Sequence, residues 1–174
     1  EARFHTLSGL LTARRDGEWI EMDFPAHKTE PAESAEALAA ALGIRPVGVY
    51  NAGWTWLVEA ADERTVREMT PDFAAMQPPC GSAIVTARAA AAGYDFVCRM
   101  FAPCVGINED PVTGSAHCAL GPFWAGRLGK TALVSRQVSA RGGVVKVAVA
   151  GDRVKIAGQA VTILQGRLSA EGPG

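Results

Sequence analysis

The segment that decides the fold is Gly114-Ser-Ala-His-Cys-Ala-Leu-Gly-Pro-Phe-Trp-Ala-Gly-Arg-Leu128. Its composition predicts a helix over about 114–128. Apolar residues occupy nearly every face of this helix: Ala116, Cys118, Ala119, Leu120, Phe123, Trp124 and Ala125. A helix that is hydrophobic all round is normally buried all round. We therefore expect this helix to lie in the middle of a curled sheet.

Strand-forming runs lie on both sides of this helix in the sequence. Apolar residues mark them at 4–15, 18–24, 47–51, 55–60, 83–89, 94–101, 131–139, 142–150, 153–157 and 160–168. Two shorter helices are expected at 33–42, with Ser34 as a candidate cap and Gly43 as the stop, and at 62–69. Because strands outnumber helices, the predicted class is α+β, with a curved mixed or antiparallel sheet wrapped around the central helix.

The pair Asp16-Gly17 joins the first two strand-forming runs and is a strong signal for a β-hairpin. Pro25 ends the second run, because proline cannot donate a hydrogen bond to a ladder. Residues 26–34 are polar and contain proline, which is typical of a linker. The sequence therefore divides into a hairpin at 1–26 and a larger unit at 27–174. Since the chain enters its first strand without an initiator methionine, we expect further sequence upstream.

The composition excludes several classes of function. The chain has 174 residues, with 17 Lys and Arg against 18 Asp and Glu, and a formal net charge of −1. Nucleic-acid-binding domains and polybasic membrane anchors are usually strongly basic, so we expect neither kind of partner. The longest stretch without a charge, 111–126, is shorter than the roughly 20 residues that span a bilayer. Four cysteines without a secretory signal predict reduced thiols and a cytoplasmic location.

The residues just before the central helix carry the candidate chemistry. A predicted loop with Glu109 and Asp110 follows a strand, and the residues at 113–115 open the helix. The first amides of a helix have no internal partners and, together with the helix dipole, they bind anions such as carboxylates. Side chains that could bond to such an anion or handle protons beside it are Asp110, Ser115 and His117.

Plainer interpretations of the same residues stay open. Thr113 or Ser115 could act only as the N-cap, as serine and threonine do at many helix starts. His117 could be a hydrogen-bonded core histidine. We expect no metal, because His117 and its neighbouring cysteine, even with Cys104 and Asp110, lack paired zinc-ligand spacing. Cys104 and Cys118 lie in apolar sequence, where thiols are usually inert.

This segment resembles the most distinctive motif of the PhzF-like phenazine-biosynthesis family. The residues that carry the resemblance are Arg99-Met-Phe-Ala-Pro103 and Gly106-Ile-Asn-Glu-Asp-Pro-Val-Thr-Gly-Ser-Ala-His117. The family's mid-chain hairpin and final strands are similar to Phe4-His-Thr-Leu-Ser-Gly-Leu-Leu-Thr12, Met22-Asp-Phe-Pro25 and Ala157-Gly-Gln-Ala-Val161. The resemblance covers nearly the whole chain.

The resemblance implies a diaminopimelate-epimerase-like fold with two lobes, each a curved sheet around a central helix, and a site between them. It also implies a cofactor-independent isomerase that moves a double bond by proton abstraction and redelivery on a small carboxylate substrate. In this family pattern, Asp110 and Ser115 match the second-lobe members of the site, with His117 as a further catalytic candidate. The carboxylate would be bound at Thr113, Gly114 and Ser115.

Thr113 stands where related epimerases carry a catalytic cysteine, so the resemblance does not imply racemisation by two thiols. The family's first lobe carries a glutamate acid/base and an assisting histidine, and no residue of this chain matches them. The resemblance therefore makes 1–26 the last hairpin of the first lobe and 27–174 the second lobe with half of a site. Its partners would be the missing first lobe or a second copy in a homodimer. The alternative hypothesis is a catalytically inactive module of the same fold that binds a metabolite or a protein.

Overall fold

The structure, a computed structural model, describes residues 1–7, 9–32, 35–76 and 81–166. Within them lie the helices α1 (Glu36–Leu42), α2 (Glu63–Glu68) and α3 (Gly114–Leu128). The strands are β1 (Ala2–Thr6), β2 (Gly9–Asp16), β3 (Trp19–Pro25), β4 (Glu30–Pro31), β5 (Gly48–Asn51), β6 (Trp56–Glu59), β7 (Ala83–Arg88), β8 (Phe96–Ala102), β9 (Ile107–Asp110), β10 (Ala132–Gln137), β11 (Gly143–Ala150) and β12 (Arg153–Gln159). Ser34, the expected cap of α1, lies outside the described residues, as does Cys80.

The described strands form one sheet in the order β1-β2-β3-β12-β11-β10-β8-β7-β6-β5-β4, with β9 paired to β8. Neighbouring strands are antiparallel except for β6 with β7 and β8 with β10, which are parallel. The predicted α+β class with a mixed sheet is therefore confirmed. The hairpin at Asp16-Gly17 is also confirmed, because Asp16 pairs with Trp19 across the turn. Strand β3 then pairs with β12 along its whole length, so the hairpin continues the sheet.

Helix α3 has the boundaries that the sequence predicts and is buried along most of its length. It packs against β10, β11 and β12. The Trp124 ring stacks on Phe96 with 5.7 Å between ring centroids, and its indole N–H donates to Thr86 Oγ1 at 2.9 Å. The one polar atom of this large buried side chain is thus hydrogen-bonded, which removes the desolvation penalty of leaving it unpaired.

The two faces of the sheet bury separate groups of side chains. On β7, Ile84 shares a core with α3, whereas its neighbours Ala83 and Val85 share a core with Leu42 of α1 and Val66 of α2. This division follows from the alternation of side chains along a strand. Gly43 ends α1 in the left-handed conformation, as the sequence predicts.

Three predictions about strand boundaries are wrong. The run at 4–15 is two strands, β1 and β2, which turn back on each other where Thr6 pairs with Gly9. Residues 160–166 of the predicted final strand belong to no strand, and residues 167 and 168 lie outside the described ones. Strand β12 instead runs through Gln159, because β3 offers it a full-length ladder. Residues 26–34 are not a plain linker, since they contain the short strand β4.

Glycine at position 121 lets α3 lie close to the sheet. A Cβ atom there would lie 2.9 Å from Val147 Cγ1 and 3.3 Å from Val149 Cγ2, whereas one at Gly126 would meet nothing within 4 Å. We expect Gly121→Ala to lower the free energy of unfolding by about 1–3 kcal/mol relative to Gly126→Ala, because overpacking opposes the gain in helix propensity. Urea unfolding of both variants measures this difference. Equal stability of the two variants would show that α3 does not need glycine to approach β11.

Candidate functional site

The turn between β9 and α3 brings Asp110 to the start of the helix. Asp110 ends β9, a strand that pairs with β8, so the predicted loop around Glu109 and Asp110 is wrong. Thr113 is the N-cap residue of α3 and is buried. Its hydroxyl donates to Asp110 Oδ2 at 2.7 Å. This bond holds the Oδ2 atom of the carboxylate beside the first turn of the helix.

The first turn of α3 is open to an anion. The Thr113 side chain makes no capping hydrogen bond, and the turn contains no acidic residue. Ser115 lies inside the helix and is exposed, so its interpretation as the N-cap is wrong. A Cβ added at Gly114 would meet nothing within 4 Å, which leaves space for a ligand close to the backbone. The amides of this turn and the helix dipole therefore favour a carboxylate at this position.

Gln137 of β10 holds the whole turn in place. Its side chain is fully buried. Its Oε1 accepts from the Thr113 backbone N–H at 2.8 Å, and its Nε2 donates to the Asp110 carbonyl at 2.6 Å and to Thr113 Oγ1 at 3.2 Å. Sequence reasoning missed this residue. The available signal was the alternation along β10, which places Gln137 on the same buried face of the strand as Leu133 and Ser135. A polar side chain on that face needs hydrogen-bond partners.

A second brace fixes β9 from the other side. The Arg99 guanidinium donates to both carboxylate oxygens of Glu109, at 2.7 and 2.9 Å. It also donates to the backbone carbonyl of Met69, just beyond α2, at 2.9 Å. Because the two side chains are only 13% and 20% exposed, this bidentate pair is shielded more than a surface ion pair. Both carboxylate oxygens of Glu109 are thus bound to Arg99, while the carboxylate of its neighbour Asp110 is bound to Thr113 at the helix start.

His117 is fully buried, and both ring nitrogens have partners. Nδ1 lies 2.7 Å from the Thr113 carbonyl and Nε2 lies 2.6 Å from Ser135 Oγ. Since a carbonyl can only accept, Nδ1 carries the hydrogen and the Ser135 hydroxyl donates to Nε2. Burial lowers the pKa of His117 to about 4, against the smaller opposing effect of the Thr113 bond. The ring is therefore neutral at pH 7, and the structure separates it from the exposed Ser115.

The described cysteines are free thiols. Burial raises the pKa of Cys118 to about 11 and also raises the pKa of Cys98, so neither is a thiolate at neutral pH. Cys104 is exposed on the turn at Pro103–Val105. Among the described residues, no group of three or more His, Cys, Asp or Glu side chains could hold a metal ion. None of the described helices is both long and apolar enough to cross a membrane.

Comparisons with known proteins agree on one family. The PhzC-PhzF model, described as phenazine biosynthesis-like protein, matches residues 1–166. A Halalkalibacterium halodurans protein named an uncharacterized isomerase is 43% identical over 167 residues, and one of that name from Pseudomonas aeruginosa is 47% identical over 167 residues. Each match covers 95% of this chain and 63% of the relative. The chain thus spans less than two thirds of the length of these relatives.

Solved structures show the same similarity. A PhzF-family protein from Enterococcus faecalis superposes with a TM-score of 0.83 at 39% identity, over 90% of this chain and 60% of that one. A Clostridium difficile protein described as a putative phenazine biosynthesis PhzC/PhzF protein also gives 0.83, at 35% identity, over 96% and 64% of the two chains.

Replacing Gln137 tests the brace under the site. We expect Gln137→Leu to lower the free energy of unfolding by about 2–4 kcal/mol, because it leaves the Thr113 N–H and the Asp110 carbonyl buried without partners. Gln159→Leu is the matched control, since Gln159 is exposed at the end of β12. Chemical denaturation of both variants gives the measurement. If the two variants differ by less than about 0.5 kcal/mol, Gln137 does not support the turn.

The buried His117 predicts a pH-dependent loss of stability. In the unfolded chain this histidine has a pKa near 6.5, whereas in the folded protein the pKa of His117 is about 4. On acidification, the unfolded chain therefore binds a proton before the folded protein does. Stability therefore falls as the pH drops from about 6.5 towards 4, by about 2 kcal/mol between pH 7 and pH 5. His117→Gln should remove this component, whereas His27→Gln, at an exposed position, should keep it. Identical pH profiles for the wild type and His117→Gln would contradict the assignment.

Proposed function

Because this chain belongs to the phenazine biosynthesis-like family, we propose that it provides half of the active site of a cofactor-independent isomerase. The reaction is proton abstraction and redelivery on a small substrate that bears a carboxylate. Relatives of this chain are named isomerases, which supports the class of reaction. The observation that carries the proposal is the Asp110 carboxylate held by Thr113 at 2.7 Å beside an uncapped helix start.

The proposal gives each residue of the turn a role. The substrate carboxylate binds the amides of Gly114 and Ser115, and the exposed Ser115 hydroxyl orients it. The Thr113 N–H and hydroxyl already bond to Gln137 and Asp110, so Thr113 acts on the ligand indirectly, by positioning. Asp110 carries or relays the proton, a contribution of about 10²–10⁴-fold in rate.

His117 fits a positioning role better than the catalytic role that the sequence suggests. Its ring bonds to the carbonyl of the N-cap residue and to β10, and it has no exposed surface. A neutral ring with both nitrogens occupied holds the helix start against the sheet. The family resemblance supports a principal acid/base in a first lobe, and we propose that the complete site forms between two such lobes.

The wider setting belongs to the same proposal. A single lobe with a curved sheet around α3 fits the core that this helix shares with strands β6, β7, β8, β10, β11 and β12. Free, buried thiols at Cys98 and Cys118 fit a reducing compartment, so we propose a cytoplasmic location. We propose that the functional protein is a homodimer. We also propose that it binds neither nucleic acid nor a membrane.

A titration tests the anion site directly. Benzoate added to the ¹⁵N-labelled chain should shift the amide signals of Gly114 and Ser115, because these N–H groups receive the carboxylate. Benzamide has the same ring without the charge and should leave these signals unchanged. Equal shifts with both compounds, or no shift with benzoate, would contradict a carboxylate site at the start of α3.

The variant Asp110→Asn separates catalysis from binding. In the complete protein, it should slow the exchange of carbon-bound substrate protons with D₂O by about 10²–10⁴-fold. Benzoate binding should be retained or tightened, because the repulsion between two carboxylates is removed. Ser115→Ala should weaken binding and preserve the fold. If both variants leave proton exchange unchanged, the chain is a binding module without chemistry.

A further inference from the structure

A cavity of about 550 Å³ lies beside the turn that carries the candidate site. Val112, two residues before the helix start, lines one wall, and Arg141 and Gly143 line another. The remaining walls include Gly158 and Gln159 at the end of β12. Val112 therefore connects the cavity to the turn that precedes α3.

The loop that carries Arg141 is fixed to this turn. Ser139 Oγ donates to the Pro111 carbonyl at 2.8 Å, and the Gly142 N–H donates to Ser139 Oγ at 3.0 Å. A Cβ atom on Gly143 would collide with the Val112 side chain, so the two loops are in close contact there. These contacts set the position of the Arg141 backbone relative to the helix start.

The guanidinium of Arg141 has no charged partner in the part of the chain that the structure describes. Arg99, Arg127 and Arg153 each form an ion pair with a carboxylate, whereas Arg141 is exposed and forms none. The other residues that line the cavity are uncharged. A planar guanidinium donates paired hydrogen bonds to a carboxylate, so an uncompensated arginine in a neutral cavity favours an anionic ligand group.

We propose that Arg141 binds a second carboxylate of the substrate and selects dicarboxylates over monocarboxylates. The proposal rests on the proposed function, because the first carboxylate is the one at the start of α3. The two positive features lie on loops held together by Ser139 and Val112, and the proposal is that one small molecule spans them. The cavity has room for the carbon chain between the two groups.

The experiment compares ligands that differ by one charge. Glutarate and adipate, with pentanoate and hexanoate as their monocarboxylate counterparts of equal carbon number, are titrated at constant ionic strength into the ¹⁵N-labelled chain. The variants are Arg141→Gln, Arg141→Lys and Arg88→Gln, which removes an exposed arginine at the end of β7 as the matched control. The readouts are the amide shifts of residues 114–116 and the dissociation constants derived from them.

The expected result is tighter binding of a dicarboxylate than of its counterpart by the wild type. Arg141→Gln should weaken dicarboxylate binding about 10-fold and change monocarboxylate binding less than about 3-fold. Arg141→Lys should restore part of the difference, and Arg88→Gln should behave as the wild type. If monocarboxylates bind but Arg141→Gln matches Arg88→Gln, the role of Arg141 is overturned and the helix site stands. If no carboxylate binds the wild type, both proposals fail.

Discussion

The buried amide of Gln137 is the contact on which the start of α3 depends. A helix that begins inside a protein brings backbone groups that its own hydrogen bonds cannot satisfy. The Gln137 side chain satisfies the Thr113 N–H and the Asp110 carbonyl together, with one group on each side of the turn. The Thr113 hydroxyl donates to the Asp110 carboxylate, and its oxygen accepts from Gln137 Nε2 instead of from a helix N–H. The open helix start and the positioned carboxylate thus have a common cause.

The fold could be predicted wherever local pattern determines structure. The extent of α3 follows from its apolar residues, and the turn at Asp16-Gly17 follows from turn chemistry. The error near the end of the described chain falls where a distant strand decides. Strand β12 extends through Gly158 because β3, over 130 positions away in the sequence, offers hydrogen-bonding partners up to Trp19. No local signal in 157–166 carries that information, so the sequence places the end of this strand too early, at 157.

The candidate site divides in the same way. The candidate residues at 110–117 are adjacent in sequence, and the predicted start of a helix among them was enough to predict an anion site without a structure. Gln137 and Arg99 support the turn from β10 and β8. Their partners are backbone N–H and carbonyl groups, the Thr113 hydroxyl and the Glu109 carboxylate. Such contacts leave no motif in a single sequence. For His117, the sequence allowed both a catalytic and a core role, and the distinction needed the Ser135 and Thr113 partners that the fold supplies.

A carboxylate beside an anion site looks unfavourable, because a bound substrate carboxylate and Asp110 repel each other. The Thr113 hydroxyl offsets part of this repulsion, because its hydrogen bond to Oδ2 stabilises the negative charge of the Asp110 carboxylate. Because Thr113 bonds to Oδ2, Oδ1 is the carboxylate oxygen that this bond leaves for a substrate. Asp110 is half-buried, so water screens the interaction only in part. In the proposed isomerase, the arrangement that weakens anion binding therefore also holds the Asp110 carboxyl group next to the substrate, where the reaction needs a group that passes on a proton.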